Sequence, residues 1–268
     1  MLHSSDEKPF LDHLEDLRWT VFKALAALAL ASVVGFIETK PILRLLLGPL
    51  KQAGEDPAKI LRFLGVVDPF SVQLQISLLT GIVLSLPAVL YFVGEFLLPA
   101  LTPTEKRALL PIFSTGAFLF LLGGFFSYAV LLPQTLRFFV QYSHDLGVET
   151  QWTLPNYLDF VVQMVVGFGL AFELPLVVVL LTHFGILRAE LLRRYRRHAI
   201  VVIIVAAACI TPTSDPFTLF LLAVPMYLLY EISLWIAIGI ERKRGRPISS
   251  PGSPPALEPE AEQDKPVP

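Results

Sequence analysis

Long apolar runs broken by short polar stretches set the pattern of this chain. Four runs, Trp19–Ile37, Phe70–Val93, Leu109–Leu132 and Tyr157–Thr182, are each long enough as a helix to cross roughly 30 Å of hydrocarbon. Two more, His198–Ile210 and Phe217–Ile240, are separated only by TPTSDP. The first falls short of the roughly 20 residues of an ordinary span, which fits either a re-entrant segment or one arm of a short helical hairpin. The turn composition favours the hairpin, because Asp215 and Pro216 suit the N-cap and first position of a following helix. Pro225 and Glu231 interrupt the last run, so both arms are expected to be short and to thin the membrane locally.

The polar stretches predict smaller elements. PFLDHLEDLRWTVFK before the first span spaces Phe10, Leu14, Leu17 and Val21 as one face of an amphipathic helix. The segment between the first two spans contains KPILRLLLGPLKQAG. Its Ile42, Leu45, Leu46 and Leu50 predict one face of a helix broken at Gly48-Pro49, packed as a cap on the outer membrane surface. Asp68-Pro69 predicts an N-cap and first turn for the second span. Beyond Gly245 the chain is rich in Pro, Ser and Glu with little to bury, and is expected to be disordered. The expected organisation is a cytoplasmic amphipathic segment (1–18), a six-helix transmembrane domain (19–240) and a cytoplasmic tail (241–268).

Composition agrees with the pattern. Of 268 residues 54% are hydrophobic and 16% charged, against about 25% charged in a soluble domain. A net charge of -2 gives no sign of a nucleic-acid partner. With the N-terminus inside, basic residues favour the cytoplasmic segments by more than two to one, led by the cluster Arg188, Arg193, Arg194, Arg196 and Arg197. The positive-inside rule then sets both termini in the cytoplasm, and that rule alone accounts for the cluster. The single cysteine, Cys209, lies in VVIIVAAACI and is expected to be a small buried hydrophobe. No cleavable leader is expected, because the first apolar run follows a mixed-charge segment and no small-residue cleavage site comes after it.

No catalytic signature emerges. There is no phosphate-cradling Gly-rich loop, no metal-ligand spacing and no base beside Ser32, so neither a cofactor nor a metal is expected and an intramembrane enzyme ranks last. The polar groups set in apolar surroundings are Gln73, Gln75, Gln163, Glu173, Asp215 and Glu231. A carboxylate near the bilayer centre costs at least roughly 2.5–3.5 kcal/mol on insertion scales, so such groups face a partner helix or a wet cavity. Asp12, Glu15 and Asp16 near one helix start, and Glu105 in a capping box with Thr102 and Pro103, have ordinary structural readings. Two acidic sites on one cytoplasmic face nevertheless form a candidate cation-binding pair.

Five motifs in order, FLDHLEDLR, LLPALTPTEKR, FGLAFELPL, TPTSDPF and AVPMYLLYEI, resemble TatC, the multispanning component of the twin-arginine protein translocase. The resemblance covers about residues 9–240. It implies an all-α integral membrane protein with six transmembrane helices, both termini in the cytoplasm, a concave wall and short helices 5 and 6. It implies a receptor for twin-arginine signal peptides that exports folded proteins with the proton-motive force, together with TatA-type single-span subunits, TatB where present, membrane lipids and further copies of itself. Motif match carries signal-peptide binding to Asp16 and Glu105, with Glu15 and Arg18 beside them; whether Asp16 or Glu15 meets the arginines stays open. Guanidinium forks pair with carboxylates bidentately, so two acids can read two arginines and penalise lysines. Glu173 matches the intramembrane glutamate on the concave face, with Gln73, Thr211, Asp215 and Glu231 as further polar docking residues and Pro49 and Pro212 as structural ones. This chain departs from the family in three places. Asp16 stands for the usual Glu of the first motif, Phe92 and Gly94 stand in a Tyr-Gln-x-Trp motif with Glu95 added, and Thr218-Leu219 replaces Ser-Gln at the last turn. The rival reading is a proton-coupled secondary transporter using Glu173, against which no paired interrupted segments in two halves are evident.

Overall fold

The computed structural model describes residues 10–97, 103–183, 185, 187–210 and 215–243, with the backbone alone for 10–13, 97, 103–112, 183 and 243. Nearly all of it is helix. Five stretches are long and apolar enough to cross a membrane: Leu14–Ile37, Asp68–Phe96, Phe113–Asp145, Leu154–Thr182 and Pro216–Arg242. Large apolar side chains such as Phe22, Leu30, Phe118, Phe220 and Trp235 point outward from the bundle, an arrangement suited to lipid and not to water. The chain is an all-α membrane protein.

The first helix, α1 (Phe10–Ile37), carries the amphipathic segment into the span without a break. It packs along α5 (Asp68–Leu97). Gly35 makes their close crossing possible: a Cβ there would lie 2.6 Å from the Thr80 Cβ and 2.9 Å from the Ser77 Cα. Ser77 donates to the Ser32 carbonyl at the same crossing. Small residues at a crossing are the usual means of packing helices in lipid, where no hydrophobic force drives them together.

Between α1 and α5 lies a cap formed by α2 (Thr39–Leu46), α3 (Gly48–Gln52), α4 (Pro57–Ile60) and a two-residue strand β1 (Leu61–Arg62). Leu46, Pro49 and Leu50 are buried as expected of one cap face, but Leu45 is 61% exposed. The partly buried Leu43 and Leu47 pack inward with Leu46 and Leu50 instead, because residues three and four apart share a helix face and Leu45 falls off the one that Leu43 and Leu46 set. The carbonyls that the cap helices leave open are taken up from outside. Tyr128 Oη donates to Leu45 O at 2.6 Å, Tyr157 Oη to Leu46 O at 2.8 Å, and Arg137 to Gln52 O at 2.9 Å. Asp68 does not cap its own helix; its carboxylate turns back to accept from the amides of Leu64 and Gly65 at 2.9 and 2.8 Å.

The third apolar run extends beyond its expected end. α6 (Pro103–Phe126) passes through a π-helical turn at Ser127–Leu131 into α7 (Leu132–Asp145). Pro133 has no amide hydrogen for an ordinary ladder, and the Leu132 amide reaches back to Ser127 O, so the wider turn absorbs the proline. After β2 (Trp152–Thr153) comes α8 (Leu154–Phe172), with Thr153 as its N-cap, then α9 (Leu174–His183). Strand β2 pairs parallel with β1, Leu61 opposite Trp152 and Arg62 opposite Thr153. The buried core gathers around α8, where Leu158, Val161, Met164 and Phe168 meet Leu50, Ile76 and Leu132.

The last two helices differ from expectation in one respect. After α10 (Ala189–Arg194), α11 (Arg196–Ile210) has only 15 residues, about 22 Å of helix. It is short, as the sequence suggested, and falls outside the five long candidates. But α12 (Pro216–Lys243) runs for 28 residues, so a short helix 6 is incorrect. Pro225 lies inside it without ending it, since membrane-embedded helices tolerate proline when neighbouring groups re-satisfy the freed carbonyl. Glu231 does not interrupt it either, because Arg196 meets its charge.

Candidate functional site

At the N-terminal end of α1 the burial pattern separates two neighbouring acids. Positions 16, 20, 24, 27, 28, 31 and 35 are partly or fully buried and form one stripe against α5. Asp16 belongs to that stripe; Glu15 and Arg18 are exposed and lie off it. Thr20 donates to the Asp16 carbonyl at 2.8 Å, which ties the hydroxyl to the helix rather than to the carboxylate.

Lys23, seven residues on from Asp16 and therefore on nearly the same face, reaches across to α5. Its Nζ lies 3.1 Å from Glu95 Oε2 and 5.8 Å from the centre of the Phe92 ring. Gly94 between those two makes room for Phe113 of α6, since a Cβ would come within van der Waals overlap of that ring. All three residues that depart from the family pattern after the second span thus have partners: Phe92 and Glu95 hold Lys23, and Gly94 admits an aromatic side chain. Sequence reasoning noted these departures without seeing that Lys23 closes on them. The side chain of Glu105, and all of Thr102, Thr211 and Pro212, lie outside the described residues.

Glu173 sits at the junction of α8 and α9. Pro175 cannot donate to the Ala171 carbonyl, which accounts for the break there. The side chain lies toward Gly116 of α6, where a Cβ would come 3.0 Å from Oε2. Its Oε1 is buried with no hydrogen-bond partner among the described residues. Buried polar atoms nearly always find a partner, and here the described residues supply none.

The other predicted polar residues divide. Gln73 donates to the Phe36 carbonyl at 3.1 Å and Gln163 to Cys209 O at 3.1 Å, so both close contacts between helices. Asp215 is the N-cap of α12, accepting from the Thr218 amide at 2.7 Å. Glu231 accepts from Arg196 at 2.8 Å and from Tyr227 Oη at 2.9 Å, which makes it a tie between α11 and α12. Pro49 is buried in the first turn of α3. Cys209 is exposed, not buried, because α11 packs through Ile203 and Ala207.

One intramembrane acid escaped notice. Asp159, in NYLDFVV, accepts from Gln75 Nε2 at 2.8 Å and shares an exposed stripe of α8 with half-buried Gln163 and exposed Leu170. The rule that singled out Glu173, a carboxylate inside an apolar run, applied equally to it.

The arrangement therefore offers acids where the N-terminal end of α1 meets the C-terminal end of α5, and a carboxyl in the interior with one oxygen that no described residue hydrogen-bonds. Residues 12–225 match the family described as "Sec-independent protein translocase protein (TatC)". The chain is 44% identical over 176 residues to the protein of that name from Akkermansia muciniphila, covering 66% of this chain and 51% of that one; it spans about half the length of that relative. It is 33% identical to the protein of that name from Aquifex aeolicus, over 88% of this chain and 97% of that one. It also resembles the crystal structure of the twin arginine translocase receptor TatC, with a TM-score of 0.75 and 34% identity over 84% of this chain and 98% of that chain.

Proposed function

This chain belongs to the TatC family of Sec-independent protein translocase proteins, and from that premise we propose that it is the twin-arginine signal-peptide receptor and multi-pass core of a translocase that exports folded proteins across the cytoplasmic membrane. The observation that carries this reading is the pairing of a family match over most of the chain with Asp16 turned into the α1–α5 stripe. Of the two adjacent acids, Asp16 is the one on the half-buried stripe that faces α5, the helix that leads by sequence into the loop carrying Glu105. Planar guanidinium groups engage such carboxylates with two parallel hydrogen bonds, whereas an ammonium makes a single-point contact.

In this reading the chain crosses the membrane six times with both termini inside. The short α11 supplies the fifth crossing, supported by its packing along α12. Single-span TatA-type and TatB-type subunits dock through Glu173, whose unanswered Oε1 needs a donor, and further copies of the chain complete the assembly. The relatives are protein translocase components, so the secondary-transporter alternative has nothing to support it.

The test is binding of labelled Arg-Arg and Lys-Lys signal peptides to the detergent-purified protein. We expect preference for Arg-Arg, and loss of about ten-fold or more in affinity in an Asp16→Ala, Glu105→Ala double variant, since each removes a charge-assisted bidentate contact. Equal binding of both peptides, or undiminished cross-linking to the double variant, overturns the reading.

A further inference from the structure

Glu95 stands where a helix least favours an anion. It lies in the last turn of α5, which has no basic residue of its own, and the partial negative charge of a helix C-terminus attracts cations and repels carboxylates. The site therefore calls for a cation, and Lys23 provides one from the neighbouring helix at 3.1 Å, above the face of Phe92. Yet lysine fits this seat imperfectly. Its side chain is 45% exposed and that of Glu95 48%, so the pair is wet and readily exchanged. A guanidinium would lie flat on the Phe92 ring and offer Glu95 two parallel hydrogen bonds, neither of which an ammonium can do.

The spacing suits a pair of arginines. Lys23 and Asp16 are two helical turns apart on one face of α1, about 10 Å along the axis. Adjacent side chains of an extended peptide point to opposite sides, so their charged ends are held much farther apart than the ~3.8 Å between their Cα atoms. Two separated seats match that geometry better than one compact cluster.

Resting on the receptor reading above, we propose that Glu95 and the Phe92 ring form an additional seat for one guanidinium of the twin-arginine pair, and that Lys23 occupies this seat as a resident surrogate until the peptide displaces it. Glu95 is then a specificity residue, and Lys23 sets the threshold for binding by competing with the ligand from within the chain.

The experiment measures the affinity of Arg-Arg and Lys-Lys signal peptides for the full-length purified protein and for Lys23→Gln, Glu95→Gln and the double variant, with thermal unfolding as a check on folding. We expect Lys23→Gln to bind the Arg-Arg peptide about three-fold more tightly and Glu95→Gln about five-fold more weakly, the size expected of one partly exposed charged contact. The double variant should match Glu95→Gln, because the lysine competes only through that carboxylate. If Lys23→Gln binds no more tightly, or Glu95→Gln no more weakly, the pair is only a brace between α1 and α5 and the proposal is wrong. Should Glu95→Gln fail to fold, Phe92→Leu leaves both charges in place; a narrowed preference for Arg-Arg over Lys-Lys supports the seat, and an unchanged preference refutes it. The wild-type protein separates the two levels. If it does not prefer Arg-Arg, the receptor reading fails and the seat with it; if it does, and the variants behave as wild type, only the seat fails.

Discussion

Glu173 and Glu231 have the same side chain in similarly apolar sequence, yet their surroundings differ in kind. Glu231 is answered within the chain, its side chain 20% exposed against Arg196 and hydrogen-bonded by Tyr227. The Oε1 of Glu173 is answered by nothing among the described residues. On the function proposed above, the first pattern is a structural tie and the second a group kept for another molecule. Replacing Glu173 by leucine should therefore raise the stability of the isolated, detergent-solubilised protein, by roughly 1–3 kcal/mol of relieved desolvation, while lowering recruitment of the single-span subunit and export. Thermal unfolding and an export assay on the same variant check both halves; a destabilised protein with normal export would contradict the assignment. The contrast was invisible in the sequence, because it depends on which arginine of the cluster at 193–197 turns toward α12. The difference between Asp16 and Glu15 was not legible: the motif marked both, and only the fold sets Asp16 on the half-buried stripe of α1 and Glu15 off it.

At the scale of elements, periodicity located the long helices well, because twenty or so apolar residues in lipid have no alternative to helix. Their limits were harder to see. The third run continues through a π turn because Pro133 widens the ladder rather than ending it, and α12 continues through Pro225. Pro225 looked like an interruption when judged by its own neighbourhood, and the apolar run before Pro133 ended by composition alone. The cap was legible as a broken amphipathic helix, but not its method of attachment, which uses a tyrosine hydroxyl 111 residues away in sequence. That attachment is testable. Tyr157→Phe keeps the packing but leaves the Leu46 carbonyl buried without its donor, at a cost of about 1–3 kcal/mol. Hydrogen exchange should quicken in α2 and α3 while α1 and α5 stay protected. Uniform loosening of all four would mean that the hydroxyl holds the whole bundle and not the cap.

For the whole molecule, the unequal lengths of its helices matter most. α11 is about 22 Å long where the five long apolar stretches run about 36 Å or more, and the contact of Gln163 with Cys209 O sets its C-terminal end well along α8. On the proposed six-span reading, a bilayer meeting this side must thin or let water in, at a fraction of a kcal/mol per Å of mismatch. Reconstitution into lipids of increasing acyl length should therefore depress export steadily, with shorter-chain lipids favoured; export independent of thickness would argue that α11 does not face lipid. The small pairing of Leu61–Arg62 with Trp152–Thr153 has a consequence in time rather than space. Its second partner leaves the ribosome some ninety residues after the first, once α5, α6 and α7 have been made. The strand pairing of the cap therefore forms late, after its contacts with Tyr128 and Arg137 are already available, and a chain cut short before Trp152 can never make it.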